Sequence, residues 1–447
     1  MTESRLPTGP SRVMAGARLL LTWRCRGHLI LVWFLLVFFI VSALGGAARA
    51  QSVGAGSHGG KGKHSVAPAP QVDLTSPADS TDFTQGLSAD LNSYYDQYLG
   101  FKNTIQNDFN LQFSMPVSVF GQWGTPNAGP GVAAVVYSPT LIWTPFTNTA
   151  IGSGAFTFSF QQWQFWTHAD TSSLQGNMGL LAAPSDWFSN GYEFGQITYT
   201  QTFPGNWLAV SVGQYSFAQY DGNQYAGNAQ TNFFNFSLAQ NGTQTYANAG
   251  VGAYVQITPV KVLQFAGGLQ GATDVTGETL TIKGFSNGEL AYFLSAQWSP
   301  TFLAGGTYNL IYYNQPAVPE QPSASQGISF SASQNLNATF ALFLRANHAS
   351  GDAADIETSV AFGGIMNNPF GRNRLDQAGL GLAWDQTNLA AVVGPARSSE
   401  WVADLYYNYT VFKAMQITPD VQVYFHPALA PNTSTAAVFS LRTTFKF

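Results

Sequence analysis

Val438-Phe439-Ser440-Leu441-Arg442-Thr443-Thr444-Phe445-Lys446-Phe447 closes the chain and decides its fold. In an extended segment Phe439, Leu441, Phe445 and Phe447 share one face, and Ser440, Arg442, Thr444 and Lys446 share the other. A period of two, apolar on one side and polar on the other, is what a lipid-facing β-barrel strand requires. A soluble edge strand alternates in the same way, so the front of the chain has to arbitrate. There Arg12, Arg18, Arg24 and Arg26 precede an apolar run from Leu29 to Val41, and small residues follow up to Ala48-Arg49-Ala50. A basic region, a short apolar core and an A-x-A site are the layout of a secretory signal peptide, expected over 1–50 with cleavage after Ala50. The rival, a membrane anchor, needs about 20 apolar residues. No later segment suits a spanning helix, so a membrane role falls to strands.

Composition agrees. Charged residues make up 9% of the chain and aromatics 14%, against roughly 25% charged in ordinary soluble domains. The sole cysteine is Cys25, inside the signal. The mature chain therefore has neither disulfides nor a cysteine metal site. Six of the 18 basic and one of the 23 acidic residues lie in 1–50, leaving 12 against 22 and a net charge of about −10. That balance disfavours nucleic acid as a partner.

Residues 51–81, rich in Gly, Ser, Ala and Pro with His58 and His64, read as a flexible leader. Within 82–110, Leu87, Leu91, Tyr94, Tyr95, Tyr98 and Leu99 gather on one side at helical spacing, predicting a short amphipathic helix at the periplasmic mouth. From 111 to 447 the pattern is strands and turns. Working back from Phe447, sixteen candidate strands follow: 435–447, 416–427, 399–411, 376–385, 354–363, 338–348, 326–334, 302–313, 288–298, 261–271, 246–257, 207–214, 194–203, 155–168, 133–146 and 111–120. The fold class is thus all-β, a 16-stranded antiparallel transmembrane β-barrel with a short N-terminal helix. Parity puts the short links (Pro204-Gly205-Asn206, Thr258-Pro259, Ser299-Pro300, Gln334 to Asn337) on the periplasmic side. The long connections 169–193, 215–245, 272–287 and 314–325 fall outside, as barrels require. Thr231 to Gln240 alternates weakly, but counting it as a strand inverts every later loop. Residues 215–245 are therefore read as one loop folding inward to narrow the pore. Pro419, which cannot donate to a ladder, is expected at or beside a turn.

Face by face, Trp401, Leu405 and Tyr409 point to lipid while Glu400, Asp404, Tyr406 and Asn408 point to the lumen. A cation on the lipid face near midplane costs about 2–4 kcal/mol, which places Arg345 and Arg442 inside. No nucleophile elbow, H-E-x-x-H or phosphate loop is present. His168, His348 and His426 sit near strand ends as interfacial or loop residues. The expectation is no enzyme, no cofactor and no metal. A phosphate pore would show a ring of Arg and Lys, whereas the lumen and loops offer Asn, Gln, Tyr, Trp, Ser and Thr, the groups that meet sugar hydroxyls and C–H faces.

Val212 to Gln240 (VGQYSFAQYDGNQYAGNAQTNFFNFSLAQ), with Tyr220-Asp221-Gly222-Asn223 at its core, resembles the strand-then-loop signature of carbohydrate-selective porins of the OprB type. A second resemblance runs from Gly371-Arg372 through Asp376, Gly379-Leu380-Gly381, Ser399-Glu400 and Leu405-Tyr406-Tyr407 to Pro419-Asp420-Val421-Gln422-Val423-Tyr424 and Pro427. Asp404 departs from the family's usual Glu, and 51–190 matches poorly. The resemblance implies a sixteen-stranded barrel admitting glucose and other small sugars through a loop-narrowed eyelet. Candidate pore-lining residues are Trp187, Tyr220, Asp221, Asn223, Arg345, Glu400, Asp404 and Arg442. Asp221 and Asn223 either cap a loop turn or meet solute, Trp187 is a loop anchor or a sugar platform, and the four charges can brace the barrel by pairing across the lumen. Expected partners are small sugars, outer-membrane lipid and, through the terminal Phe447, the barrel-assembly machinery; a homotrimer and a monomer both remain open. The location expected is the bacterial outer membrane. Alternatives are a general unselective porin and a barrel component of an exopolysaccharide or adhesion assembly.

Overall fold

The computed structural model describes residues 87–447; the segments expected as a signal peptide (1–50) and a leader (51–81), with residues 82–86, lie outside them. One helix, α1 (Leu87–Phe109), precedes a closed antiparallel sheet. The first two strands are each interrupted once: β1 comprises Leu111–Ser114 and Val117–Thr125, and β2 comprises Val132–Tyr137 and Thr140–Asn148. Then follow β3 (Gly152–Phe165), β4 (Gly191–Thr202), β5 (Leu208–Tyr215), β6 (Gly250–Val260), β7 (Leu263–Gly271) and β8 (Leu290–Trp298). The remainder are β9 (Gly306–Gln315), β10 (Ser325–Asn335), β11 (Phe340–Ser350), β12 (Ile356–Asn367), β13 (Gln377–Thr387), β14 (Ser399–Phe412), β15 (Met415–Phe425) and β16 (Thr435–Phe445). Each strand pairs with its sequence neighbour, and β16 closes the ring on β1 from Phe445 opposite Val117 to Ala437 opposite Thr125. The chain is a closed 16-stranded barrel, and Thr231 to Gln240 forms no strand but a loop segment with one helical turn, Phe236–Ala239.

Closure follows from solvent. In hydrocarbon every backbone N–H and C=O needs an internal partner, which a ring of strands supplies and an open sheet does not. Side chains obey the period of two. Phe340, Leu342 and Leu344 are exposed on the outside of β11, while Ala341, Phe343, Arg345 and Asn347 between them are buried inside. Trp401, Leu405 and Tyr409 face out from β14, with Glu400, Asp404, Tyr406 and Asn408 inward and buried.

Proline marks where the ladders lapse. Pro116 and Pro139 occupy the two strand interruptions, and Pro116 still offers its carbonyl to Ser138 N–H at 3.1 Å. Two expectations are corrected here. Thr258-Pro259 is not the turn but lies within β6, where the pairing with β7 shifts between Ile257 and Val260. Pro419 lies inside β15 opposite Leu441, at the level where the β14–β15 ladder lacks the pairs between Tyr406–Asp420 and Tyr409–Ile417. A residue with no N–H to donate is tolerated where a partner strand makes no demand for one. The segment expected from 302 begins at Gly306, because Leu303 and Gly305 take positive φ of 52° and 83° and turn the chain first.

Helix α1 seats on the short-turn end of the barrel. Asn92 is buried and its Oδ1 accepts from Lys413 N–H at 2.8 Å, and Lys413 Nζ pairs with Asp96 at 2.9 Å, both at the β14–β15 turn. Lys102 lies over the Phe113 ring, 5.1 Å from its centroid. Tyr94, expected on the packed stripe, is instead 67% exposed; Asn92 and Lys102 take the contact face with Leu91, Tyr95 and Leu99 half-buried beside them.

Leu294, at the middle of β8 and 63% exposed, faces the hydrocarbon. Leu294→Arg should cost about 2–4 kcal/mol of folding stability in lipid vesicles. Denaturant titration in vesicles checks this, and an unchanged midpoint would show that the outer face is not in lipid.

Candidate functional site

Two long connections fold into the barrel. The β3–β4 loop carries α2 (Thr171–Met178), started by Asp170, whose carboxylate accepts from Ser173 N–H at 2.8 Å, and ended by Gly179 at φ 63°, which L side chains rarely adopt. After it Leu180 to Ser185 run buried across the lumen. Glu400 of β14 holds this run: its carboxylate accepts the N–H groups of Leu181 (2.9 Å), Ala182 (3.0 Å) and, from the β15–β16 loop, Ala428 (2.9 Å). The Pro184 carbonyl accepts from both Gln122 Nε2 (2.8 Å) and Gln422 Nε2 (2.9 Å). Trp187 stacks on Phe120 with centroids 5.5 Å apart, and its Nε1 donates to Gln161 Oε1 at 3.2 Å.

The β5–β6 loop, residues 216–249, is held along its whole length. Tyr220 stacks on Phe293 of β8 at 4.7 Å. Asp221 accepts from Asn241 Nδ2 (2.7 Å), the Tyr246 hydroxyl (3.0 Å) and the Ser329 hydroxyl, and its backbone carbonyl accepts from Arg345 Nη2 at 3.1 Å. Burial raises the Asp221 carboxyl from its ordinary range, while Arg345 and these hydroxyl and amide donors pull it back. Asn223 Nδ2 donates to Ser331 Oγ and the Ala332 carbonyl of β10, both at 2.9 Å. Asp404 accepts the Asn235 N–H at 3.0 Å. Arg442 donates to the carbonyls of Ala229 and Asn232, the latter at 3.0 Å, and its guanidinium lies 4.6 Å from the Phe234 ring centroid. The two loops also meet directly, Phe236 N–H to the Ala183 carbonyl at 3.0 Å.

All eight candidate residues are buried. The structure gathers them in three groups: Trp187 and Glu400 on the β3–β4 loop, Tyr220, Asp221, Asn223 and Arg345 on one end of the β5–β6 loop, and Asp404 and Arg442 on its middle. The four charges of the wall grip loop backbone, and the four loop residues pack on or bond to the wall. Among the described residues none of Arg345, Glu400, Asp404 and Arg442 forms an ion pair with another, which corrects the expected bracing across the lumen. The reason is that each charge faces the carbonyls or N–H groups of an infolded loop before it faces the opposite wall.

The burial is lopsided. Inward residues of β10 to β16 and β1, such as Ser329, Ser331, Asp404, Gln422, Ser440 and Ser118, are buried beneath the loops. On β3, β4 and β6 to β8 the inward residues Thr157, Ser159, Gln196, Thr200, Gln256, Gln264 and Gln297 are only half-buried, mostly toward the short-turn end, while nearer the outer loops Tyr254, Phe293 and, on β9, Tyr313 are buried against the β5–β6 loop. Glu193 and the loop's Asp186 are half-buried at the other end. The protein around Asp186 displaces solvent and pushes its carboxyl up to about 6, against a hydrogen bond from Gln240 that lowers it. Sequence reasoning expected an amide and hydroxyl lining but named none of these residues as its members. It also missed the loop's folding code: Asn223, Asn228, Asn235 and Asn241 each accept the N–H two residues on, at 2.8–3.1 Å. Asparagine recurring every five to seven residues was the available signal.

Comparison with known proteins gives this geometry a family. Residues 307–447 match the family model described as carbohydrate-selective porin, OprB family. Porin AaxA of Chlamydia pneumoniae is 30% identical over 352 residues, covering 76% of this chain and 80% of that protein. The chain belongs to the OprB family of porins. Porin AaxA of Chlamydia trachomatis serovar D is 27% identical over 365 residues, covering 76% and 78% of the two chains. Among solved structures Pseudomonas putida OprB superposes with a TM-score of 0.64 at 13% identity, covering 78% of this chain and 97% of that one, a likeness of fold. An OprB-family barrel is an outer-membrane porin, a channel for small solutes.

Glu400→Ala should strip three buried N–H groups of their acceptor, at about 1–3 kcal/mol each. Single-channel recording should then show a larger, noisier conductance as residues 180–185 loosen, with Glu400→Gln intermediate because it keeps one acceptor oxygen.

Proposed function

We propose that the porin passes carbohydrates, glucose and other small sugars, by passive diffusion between the infolded loops and the half-buried inward face of β3, β4 and β6 to β8. The neutral lining of that wall carries the reading. Gln196, Gln256, Gln264 and Gln297 offer paired donors and acceptors, and Thr157, Ser159 and Thr200 offer hydroxyls. This is chemistry that exchanges with a sugar's hydroxyls without the desolvation cost of a fixed charge. Arg345, Glu400, Asp404 and Arg442, spent on loop backbone, act from behind the lining by setting how far the loops protrude. Trp187, Tyr220, Asp221 and Asn223 serve the same end, so the eight shape the eyelet instead of holding solute. No catalytic step, cofactor or energy source enters.

The chain reaches the outer membrane after export directed by residues 1–50 and cleavage after Ala50. Phe447, whose ring stacks parallel to Phe445 at 6.2 Å, supplies the terminal aromatic for recognition by the barrel-assembly machinery. Helix α1 then lies on the periplasmic side, at the mouth of the channel.

Millimolar glucose or a disaccharide should block single-channel ion current in a concentration-dependent, saturable way. A current indifferent to sugar, with liposome swelling that tracks solute size alone, would mark a general porin and end the carbohydrate reading.

A further inference from the structure

The outer wall carries a feature that diffusion through the pore does not use. Near the short-turn end of β11 to β14, Phe340, Leu342, Gly364, Ala378, Leu380 and Leu405 line an apolar groove of about 320 Å³. Leu342 also borders a second groove of about 410 Å³ that runs to Leu344 and Phe362. Small residues make the first one: Gly364 stands directly opposite Leu342 in the ladder, and a Cβ there would find only Leu342 Cδ2 at 3.7 Å and the Ala341 carbonyl at 3.8 Å. In a barrel whose outer face meets hydrocarbon, two adjoining grooves accommodate two chains of one lipid.

The groove leads to a charged rim. Ala378 lies opposite Tyr407, whose hydroxyl donates to Asp376 at 2.8 Å and whose ring meets Phe370 edge-on at 5.4 Å. Phe370 is 77% exposed on the β12–β13 turn. Asp376 is buried and accepts from four donors: Arg372 Nε and Nη2, the Tyr407 hydroxyl and Thr410 N–H. Arg372 Nη2 also reaches the Thr410 carbonyl at 2.9 Å, and its guanidinium sits 3.7 Å from the Tyr409 ring centroid. That clamp fixes the guanidinium at the membrane edge yet uses only Nε and Nη2; Nη1 makes no hydrogen bond among the described residues, and Arg372 is exposed. Arg374, also exposed, adds a second positive charge two residues on.

A preset guanidinium with two N–H donors to spare, aromatic rings at the interface and paired apolar grooves above them match one amphiphile: an anionic phosphate with two acyl chains. We propose that this face binds a phospholipid of the periplasmic leaflet, its phosphate on Arg372 and its chains in the two grooves. The side is fixed because the β10–β11 and β12–β13 turns flanking the site belong to the short-turn end, which faces the periplasm in such barrels. The site lies outside the lumen, so it does not depend on which solute passes.

Native mass spectrometry of the detergent-purified full chain, titrated with palmitoyl-oleoyl phosphatidylglycerol, tests it. One lipid should bind saturably. Arg372→Gln should weaken that binding roughly tenfold through loss of a charge-assisted contact, and Gly364→Leu, which fills the groove without touching the clamp, should weaken it comparably. Arg372→Lys should fall between, and Lys283→Gln, an exposed cation on the outer loop at the opposite end, should bind as the parent does. Heat-modifiable gel mobility shows whether each variant is folded, and Gly364→Leu stands as the test should Arg372→Gln unfold. Equal lipid retention by the parent and by Gly364→Leu would overturn the proposal. So would a dimer mass that Gly364→Leu abolishes, since a second copy would then occupy the groove.

Discussion

The barrel exists because backbone amides cannot be left bare in hydrocarbon. Everything else is subordinate to the ladder that runs from β1 around to β16 and back. It decides that strands alternate lipid-facing and inward residues, that prolines gather where register lapses, and that cations such as Arg345 and Arg442 stand inside. The same rule governs the lumen in a weaker form. The infolded loops bring dozens of peptide groups into a confined interior, and the inward side chains of the wall are the partners those groups find.

That second layer explains why so few charges suffice. A carboxylate accepting three N–H groups, as Glu400 does, and a guanidinium donating to two carbonyls, as Arg442 does, each fix a stretch of loop that several neutral contacts would be needed to hold. Asparagine does the rest by closing local turns within the β5–β6 loop. The β3–β4 loop settles against β14 to β16 and β1, and the β5–β6 loop against β8 to β16 and β1, so the inward polar residues left half-buried lie toward the short-turn end of β3, β4 and β6 to β8.

Much of the architecture is legible in the amino-acid sequence. Alternation is a local property, so strands such as 338–348 and 399–411 declared their inward faces, and their extent to within two residues of the observed Phe340–Ser350 and Ser399–Phe412. Parity then turned loop length into topology and excluded a strand at Thr231 to Gln240. The parts that escaped are those fixed by tertiary context. Whether Asp221 faces solute or Ser329 depends on how a 34-residue loop packs, which no periodicity encodes. Tyr94 shares a helical face with Tyr98 in the sequence, yet the surface available for docking at Lys413 selected Asn92 and Asp96 instead. Pro259 and Pro419 looked like turn residues because the lapse in pairing that accommodates them belongs to two strands at once.

The central claim is that the β5–β6 loop lies within the barrel, pinned to its inner wall. Since Cys25 is the only cysteine in the chain, Asn223→Cys with Ser331→Cys in a Cys25→Ser background makes a clean pair for cross-linking in the folded protein. Ser331 is at mid-height on β10, and Asn223 Nδ2 meets its hydroxyl at 2.9 Å. A short bifunctional thiol cross-linker in intact outer membranes should join the two thiols, and neither should react rapidly with a bulky external maleimide. Two free thiols, with the one at 223 labelled rapidly from outside, would place the loop above the membrane and contradict the account.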